Sequence, residues 1–140
     1  MEQGRNRQNQ QALLAAASAM GYAFSVRELH EAARSQRPGI GLTTAYRAVE
    51  RWQRDGLLEL AGQRSGSGEA VYLLCSAGEH HHHHLVCNDC GAVTTLDGCA
   101  LEAVRDAARD RGFQLDDQAL QALPGRCAHC AGDVARAAGA

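Results

Sequence analysis

The chain has 140 residues, enough for one ordinary domain or for two small ones that share a metal-supported core. Its formal net charge of −2 argues against a purely electrostatic nucleic-acid binder, and all its fixed positive side chains are arginines because it contains no lysine. No apolar run reaches the roughly 18 residues of a membrane span, so no membrane contact is expected, and the polar first residues favour a cytoplasmic protein.

Three helices are predicted before residue 56. Apolar residues recur at helical spacing over 10–20, and Ser25 with Glu28 forms a capping box that begins a second helix. The segment 37–41 contains proline and glycine and ends that helix, so a third helix is predicted over 43–55.

The third helix has two opposite faces. At about 100° per residue, its apolar residues fall within a sector about 60° wide, and arginines occupy the opposite sector. Surface arginines are most often simply solvated, but guanidinium groups also suit phosphate and guanine contacts. The apolar residues are Ala45, Val49 and Trp52, and the arginines are Arg47, Arg51 and Arg54.

Two strands are predicted after the third helix, over 57–60 and 70–74, around a glycine-rich loop at 62–68. Three helices followed by a hairpin are typical of a winged helix-turn-helix. In that fold the last helix enters the major groove of DNA, and the hairpin tip reaches the backbone or the minor groove. Arg64 in the loop is therefore a candidate DNA contact.

The rest of the chain is predicted to be a metal-binding α/β unit. It begins with a strand over the histidines at 80–84 and continues with a segment at 92–96. A helix is predicted from about residue 101 to 111 and a strand near 113–115. A hinge near 75–80 is expected to join this unit to the first.

Two Cys-x-x-Cys pairs predict a zinc site. A two-residue spacer lets a tight turn aim both sulfurs at one point, so two such pairs can close a tetrahedral thiolate cage around zinc. Disulfides are disfavoured in a reducing cytoplasm, and a thioredoxin-like pair needs a βαβ context that is not evident. The predicted ligands of this structural zinc are Cys87, Cys90, Cys127 and Cys130.

Five consecutive histidines precede the first cysteine pair. Because alternate residues of a strand face opposite sides, His80, His82 and His84 share one side and His81 and His83 the other. One histidine run can therefore supply ligands to two metal sites.

Four segments in this order resemble the ferric uptake regulator family of bacterial metal-responsive repressors. They cover nearly the whole chain and are Glu28–His30, Gly39–Arg47, His82–Gly91 and Gly125–Cys130. The resemblance implies an α+β fold, with a winged helix-turn-helix DNA-binding domain at 1–76 and a C-terminal α/β dimerisation domain at 77–140. It implies a homodimer that binds palindromic operator DNA when loaded with metal, and a regulator rather than an enzyme.

The resemblance also implies which residues contact DNA and which hold the regulatory metal. The expected DNA contacts are Thr43, Thr44, Tyr46, Arg47, Arg51, Arg54 and Arg64. The expected regulatory ligands are Glu59, Cys75, His82 and His84. A thiolate beside imidazoles and a carboxylate suits Zn²⁺, whereas Fe²⁺ and Mn²⁺ sensors prefer nitrogen and oxygen ligands, so the zinc uptake regulator branch is favoured.

The sequence departs from the family pattern in three places. The spacer between Cys75 and the first cysteine pair is one residue longer than in zinc-sensing relatives, which leaves His81 as an alternative to His82. Phe24 stands where iron sensors often have a histidine ligand. A possible third metal site would use His81, His83 and Glu102, but the further histidine expected near Ala119 is missing, and Asp116 or Asp117 would have to replace it.

Three other functions remain open. An iron, manganese or peroxide sensor of the same family would have a regulatory site without cysteine. A zinc hydrolase would need an open metal position beside a general base, and the chain has no His-Glu-x-x-His motif. A zinc buffer or metallochaperone would explain the metal ligands but not the arginine face.

Overall fold

The fold is described from a computed structural model that covers residues 2–74, 83–96, 98–116 and 120–132. The predicted hinge near 75–80 and the boundary between residues 76 and 77 lie outside these ranges. The strand predicted over the histidines is described from His83 onward. None of the helices in these ranges has both the length and the hydrophobicity of a membrane span.

Three helices form the N-terminal part of the molecule, namely α1 (Glu2–Ala19), α2 (Val26–Arg34) and α3 (Leu42–Arg54). The predicted capping box is confirmed, since Glu28 N–H donates to Ser25 Oγ and Ser25 N–H donates to Glu28 Oε1, each at 3.2 Å. Helix α1 begins about two turns before the predicted start, because residues 2–8 are exposed and polar and have no apolar periodicity.

The main hydrophobic core lies among these three helices and the strand that follows α1. The largest contributions come from fully buried Leu13, Phe24, Leu29 and Val49, with Trp52 almost fully buried beside them. Burial of large apolar side chains on all three helices is the main term that stabilises this part of the fold.

A three-stranded antiparallel sheet completes the winged helix-turn-helix. Its strands are β1 (Phe24–Ser25), β2 (Leu58–Gln63) and β3 (Ala70–Leu74), in the order β1-β3-β2. A bulge lies between Leu60 and Gly62. The winged-helix prediction is confirmed, and β2 ends three residues beyond the predicted strand.

A second three-stranded sheet has β4 (His83–Cys87) at its centre. Strand β5 (Val93–Leu96) pairs with it antiparallel, and β6 (Ala122–Gly125) pairs with it parallel. A 3-10 helix (Gly98–Leu101) and helix α4 (Glu102–Asp110) lie between β5 and β6.

The strand predicted near 113–115 is wrong, because residues 113–116 are irregular. The third strand of the sheet is instead β6, which the sequence did not predict. The alternation of Phe113 and Leu115 satisfied a strand pattern, yet the edge of β4 is occupied by residues 122–125, a parallel pairing that no local pattern reports.

The two sheets share a small second core. Ala23, Ala61 and Val71 from the first sheet and its neighbours are buried together with Val86 from β4, and Val93 packs against them. The metal-binding unit therefore packs against the sheet of the DNA-binding unit.

Candidate metal centres and nucleic-acid interface

The two cysteine pairs meet at one edge of the second sheet. Strands β4 and β6 are parallel neighbours, and their register places Cys87 opposite Gly125, so the loops that follow both strands emerge side by side. The four sulfur atoms of Cys87, Cys90, Cys127 and Cys130 all lie within 4.8 Å of one another.

The sulfur spacing fits a tetrahedral zinc site. Zn–S bonds of about 2.3 Å in a tetrahedron separate the sulfurs by about 3.8 Å, and the Cys90 and Cys127 sulfurs are 3.7 Å apart. A disulfide would require about 2.05 Å. The donor set and its geometry therefore fit Zn²⁺ and exclude a Cys90–Cys127 disulfide in this arrangement.

Backbone hydrogen bonds shape both cysteine turns. Ala92 N–H donates to the Cys90 sulfur and Cys130 N–H donates to the Cys127 sulfur, each at 3.4 Å. An ion pair of 2.8 Å between Arg126 Nε and Asp89 Oδ2 joins the two turns directly. These contacts hold the sulfurs together from outside the cage.

The pKa values of Cys87 and Cys130 are shifted in opposite directions. Burial acts to raise the pKa of Cys87, but backbone N–H groups of Cys127, Cys90 and Asp89 outweigh it and lower this pKa to about 6. The neighbouring Cys127 thiol raises the pKa of Cys130 to about 12. Cys87 therefore ionises more readily than Cys130, and a cation bound between the sulfurs would favour the thiolate form of its ligands.

Two of the four expected regulatory ligands are described. Glu59 lies on β2 opposite Leu73, and its Oε2 atom is buried without a hydrogen-bond partner among the described residues. A buried carboxylate oxygen without a donor is costly unless a cation or a proton satisfies it. His84 lies on β4, where its Nδ1 is 3.3 Å from the Thr95 hydroxyl. Cys75 and His82 lie outside the described residues, so convergence of the four stays a prediction.

His83 is the best-defined member of the possible third site. It is 4% exposed, and its Nδ1 is 2.6 Å from the Leu120 carbonyl oxygen. Because a carbonyl oxygen can only accept, Nδ1 carries the proton and Nε2 keeps the lone pair that a metal would need. Glu102 is exposed at the start of α4, as is Asp116 after it, whereas His81, Asp117 and Ala119 lie outside the described residues.

No second cluster of ligands accompanies the cysteines in the ranges that the structure covers, where they form the one group of three or more close His, Cys, Asp or Glu side chains. Phe24 is fully buried in the main core, and His30 Nε2 lies 2.8 Å from the Ile40 carbonyl oxygen. The surroundings of both residues therefore fit a structural role.

Helix α3 presents the expected polar face to solvent. It buries Ala45, Ala48, Val49 and Trp52. The residues of the predicted DNA contact on this helix are all exposed except half-buried Thr44, and they are Thr43, Tyr46, Arg47, Arg51 and Arg54. Glu50 is exposed on the same face and had no part in the prediction, although the helical periodicity that located the arginines locates it equally well.

Arg64 has a different environment from the one expected for a DNA contact. Its side chain is only 14% exposed, and its Nη2 is 2.5 Å from Glu28 Oε1 and 3.1 Å from the Ala23 carbonyl oxygen. Arg64 thus joins the wing to the start of α2 in this conformation. Its guanidinium group points into the molecule, so this placement does not support the predicted DNA contact.

The first cysteine turn is docked beside Arg64. Ala23 N–H donates to the Gly91 carbonyl at 2.7 Å, and Ser65 N–H donates to the Asn88 carbonyl at 2.9 Å. A Cβ atom added to Gly91 would lie 2.4 Å from the Ala23 carbonyl oxygen and 3.0 Å from Arg64 Nη1. The turn that carries two zinc ligands is therefore in backbone contact with the DNA-binding unit.

Comparisons with known proteins agree with this architecture. The model of the ferric uptake regulator family matches residues 5–123. A zinc uptake regulation protein of Mycobacterium tuberculosis (strain CDC 1551 / Oshkosh) is 36% identical over 107 residues, which are 76% of this chain and 78% of the relative. A ferric uptake regulation protein of Cupriavidus metallidurans is 36% identical over 105 residues, 74% of this chain and 70% of the relative. The solved structure of the Vibrio cholerae ferric uptake regulator matches with a TM-score of 0.60 and 26% identity, over 85% of this chain and 88% of that one.

Proposed function

The chain belongs to the ferric uptake regulator family, and from that premise we propose a metal-dependent DNA-binding repressor that responds to Zn²⁺ and controls zinc uptake genes. The observation that carries the proposal is the pairing of an exposed arginine face on α3 with a four-sulfur cluster that fits zinc. A member of this family acts as a regulator, and its metal sites serve binding rather than catalysis.

Overall identity does not choose between zinc and iron, because the zinc and ferric relatives are both 36% identical to this chain. Ligand chemistry supports zinc. The buried Oε2 of Glu59 is without a donor in the described part of the chain, and Cys75 is the next residue in the sequence after β3, the strand that pairs with β2. A set of one thiolate, one carboxylate and two imidazoles suits Zn²⁺ better than Fe²⁺ or Mn²⁺.

A homodimer is supported by an apolar surface on the C-terminal unit. Helix α4 has no buried residue, and its Val104 is 49% exposed. Phe113, just after the helix, is 70% exposed. Large apolar side chains exposed on one unit are typical of an interaction surface, and a second copy of the chain would cover them.

The proposed regulation couples the two units through shared ligands. Glu59 belongs to the wing and His84 to the second sheet, so residues from both units would hold one ion together with Cys75 and His82. Metal binding there would favour the arrangement in which the two α3 helices of a dimer match major grooves about one helical turn apart. The four-cysteine site would hold the fold and would not act as the sensor.

Substitution of two proposed regulatory ligands tests this assignment. In Cys75→Ser and Glu59→Gln, the zinc concentration needed for half-maximal DNA binding should rise by at least about 10-fold, because losing a ligand should cost at least as much as losing an outer-shell partner. Both variants should remain folded and dimeric. Fluorescence anisotropy of labelled operator DNA under buffered zinc measures the shift, with Glu69→Gln as a charge-matched control on the wing. An unchanged zinc midpoint in Cys75→Ser would remove that residue from the sensor.

A further inference from the structure

We propose that Glu50 determines part of the DNA sequence read by α3, by accepting a hydrogen bond from the N4 amino group of a cytosine in the major groove. This inference rests on the proposed DNA-binding function and assigns a role to a residue that the arginine face alone leaves unexplained.

The fold fixes the direction in which Glu50 points. Four buried residues on one side of α3 leave the opposite side to face outward. At about 100° per residue, Glu50 lies within about 60° of Thr43, Arg47 and Arg54, at the centre of that outward face. A helix that docks on DNA through its arginines therefore brings this carboxylate to the groove as well.

The carboxylate is not neutralised by its arginine neighbours. Arg47 lies three residues before it and Arg54 four residues after it, spacings that allow ion pairs on a helix. Within the described ranges, however, Glu50 makes no ion pair and no hydrogen bond, and its side chain is exposed. The negative charge of Glu50 also acts on Tyr72 of strand β3. The pKa of Tyr72 is raised by burial, and further by Tyr46 and Glu50.

An unpaired carboxylate on a DNA-binding face weakens contact with phosphates, so it must find a donor to be tolerated. A carboxylate only accepts hydrogen bonds, and the donors in the major groove are cytosine N4 and adenine N6. Adenine N6 is flanked on both sides by acceptors, its own N7 and the O4 of thymine. Cytosine N4 has an acceptor, guanine O6, on one side only, so a carboxylate meets less repulsion there.

In vitro selection on the zinc-loaded full-length protein tests the proposal. The probe is a duplex library randomised over about 30 base pairs, enough for two half-sites about one helical turn apart. Wild type should select cytosine at one position in each half-site. Glu50→Ala should lower that preference by about 5- to 100-fold at this position alone, and Glu50→Gln should shift it toward adenine, which an amide contacts through N6 and N7.

Glu31→Ala is the matched control, because it removes an exposed carboxylate from the neighbouring helix α2 and changes the net charge by the same amount. It should leave every base preference unchanged. If Glu50→Ala binds all sequences more tightly with the same preferences, the carboxylate only weakens DNA binding by charge repulsion, and the inference is overturned. If wild type selects no sequence at all, the proposed DNA-binding function fails first and this inference fails with it.

Discussion

Single side chains decide which metal sites this chain can form. The four cysteines have a geometry that suits zinc. Glu59 offers a buried oxygen without a donor in the described part of the chain. The two sites therefore differ in purpose. The four-cysteine set is complete by itself, whereas the site of Glu59 needs ligands from another part of the chain.

Cys87→Ser is expected to remove the structural zinc. A structural zinc contributes about 10–16 kcal/mol of apparent binding free energy, so the C-terminal unit should lose its cooperative unfolding transition. Metal analysis should show one zinc fewer per chain, and circular dichroism during urea unfolding should show the lost transition. Cys99→Ser is the control, because Cys99 belongs to neither predicted ligand set. Full zinc content in Cys87→Ser would contradict the four-cysteine assignment.

At the level of helices and strands, features that depend on residues close together in the chain could be predicted from the sequence. A pairing between distant segments could not. The capping box of α2 and the two faces of α3 depend on residues three or four positions apart, so local periodicity reveals them. Strand β6 pairs in parallel with β4 across more than thirty residues, and no local pattern specifies that pairing. The first turns of α1 escaped prediction for the opposite reason, because an exposed polar helix has no apolar stripe.

The candidate sites follow the same rule. The spacing of the cysteines within each pair is local and predicts that they share a metal. The contact of Arg64 with Glu28 joins residues 36 positions apart in the chain. The docking of Gly91 on Ala23 arises only when the metal-binding unit packs on the DNA-binding unit. Arg64 therefore resembled a wing-tip contact in the sequence, although its guanidinium group is turned inward in the fold.

Docking of the cysteine turn on the DNA-binding unit predicts an unusually sensitive glycine. Gly91 has φ +82° and no room for a Cβ atom beside the Ala23 carbonyl. Gly91→Ala should lower the free energy of unfolding by about 2–5 kcal/mol, from left-handed strain plus steric displacement. Chemical denaturation of the zinc-loaded protein measures this loss.

Gly112→Ala provides the comparison, because Gly112 has φ +79° but open space around it. This variant should lose only the strain contribution, about 1–2 kcal/mol. Equal losses in the two variants would show that the close contact with Ala23 contributes nothing to stability.

As a whole, the molecule combines a DNA-reading face, a zinc-supported scaffold and an uncovered apolar surface. The second core joins the sheet of the DNA-binding unit to the sheet that carries the zinc ligands. The third lies on α4 and beside it, away from the arginine face in the chain. This arrangement fits a dimer that joins through its C-terminal units and leaves both α3 helices free for DNA.

The dimer surface can be tested by placing charge on it. Val104→Glu should convert the dimer to a monomer without unfolding it, because Val104 is half-exposed in the single chain and a buried unpaired charge is costly at an interface. Analytical ultracentrifugation measures the change, and operator affinity should fall with it. Leu60→Asp, at an exposed apolar residue of the wing, should remain dimeric. A dimeric Val104→Glu protein would place the interface elsewhere.

If zinc switches this protein to DNA binding, the metal dependence of operator binding will show it. Binding to a labelled fragment from upstream of its own gene is followed at fixed salt across buffered free Zn²⁺, with Fe²⁺ and Mn²⁺ in parallel. We expect saturable binding that requires zinc and does not appear with the other two metals at comparable free concentrations. Binding driven by Fe²⁺ or Mn²⁺ in place of zinc would contradict the zinc assignment, and metal-independent binding would contradict the switch itself.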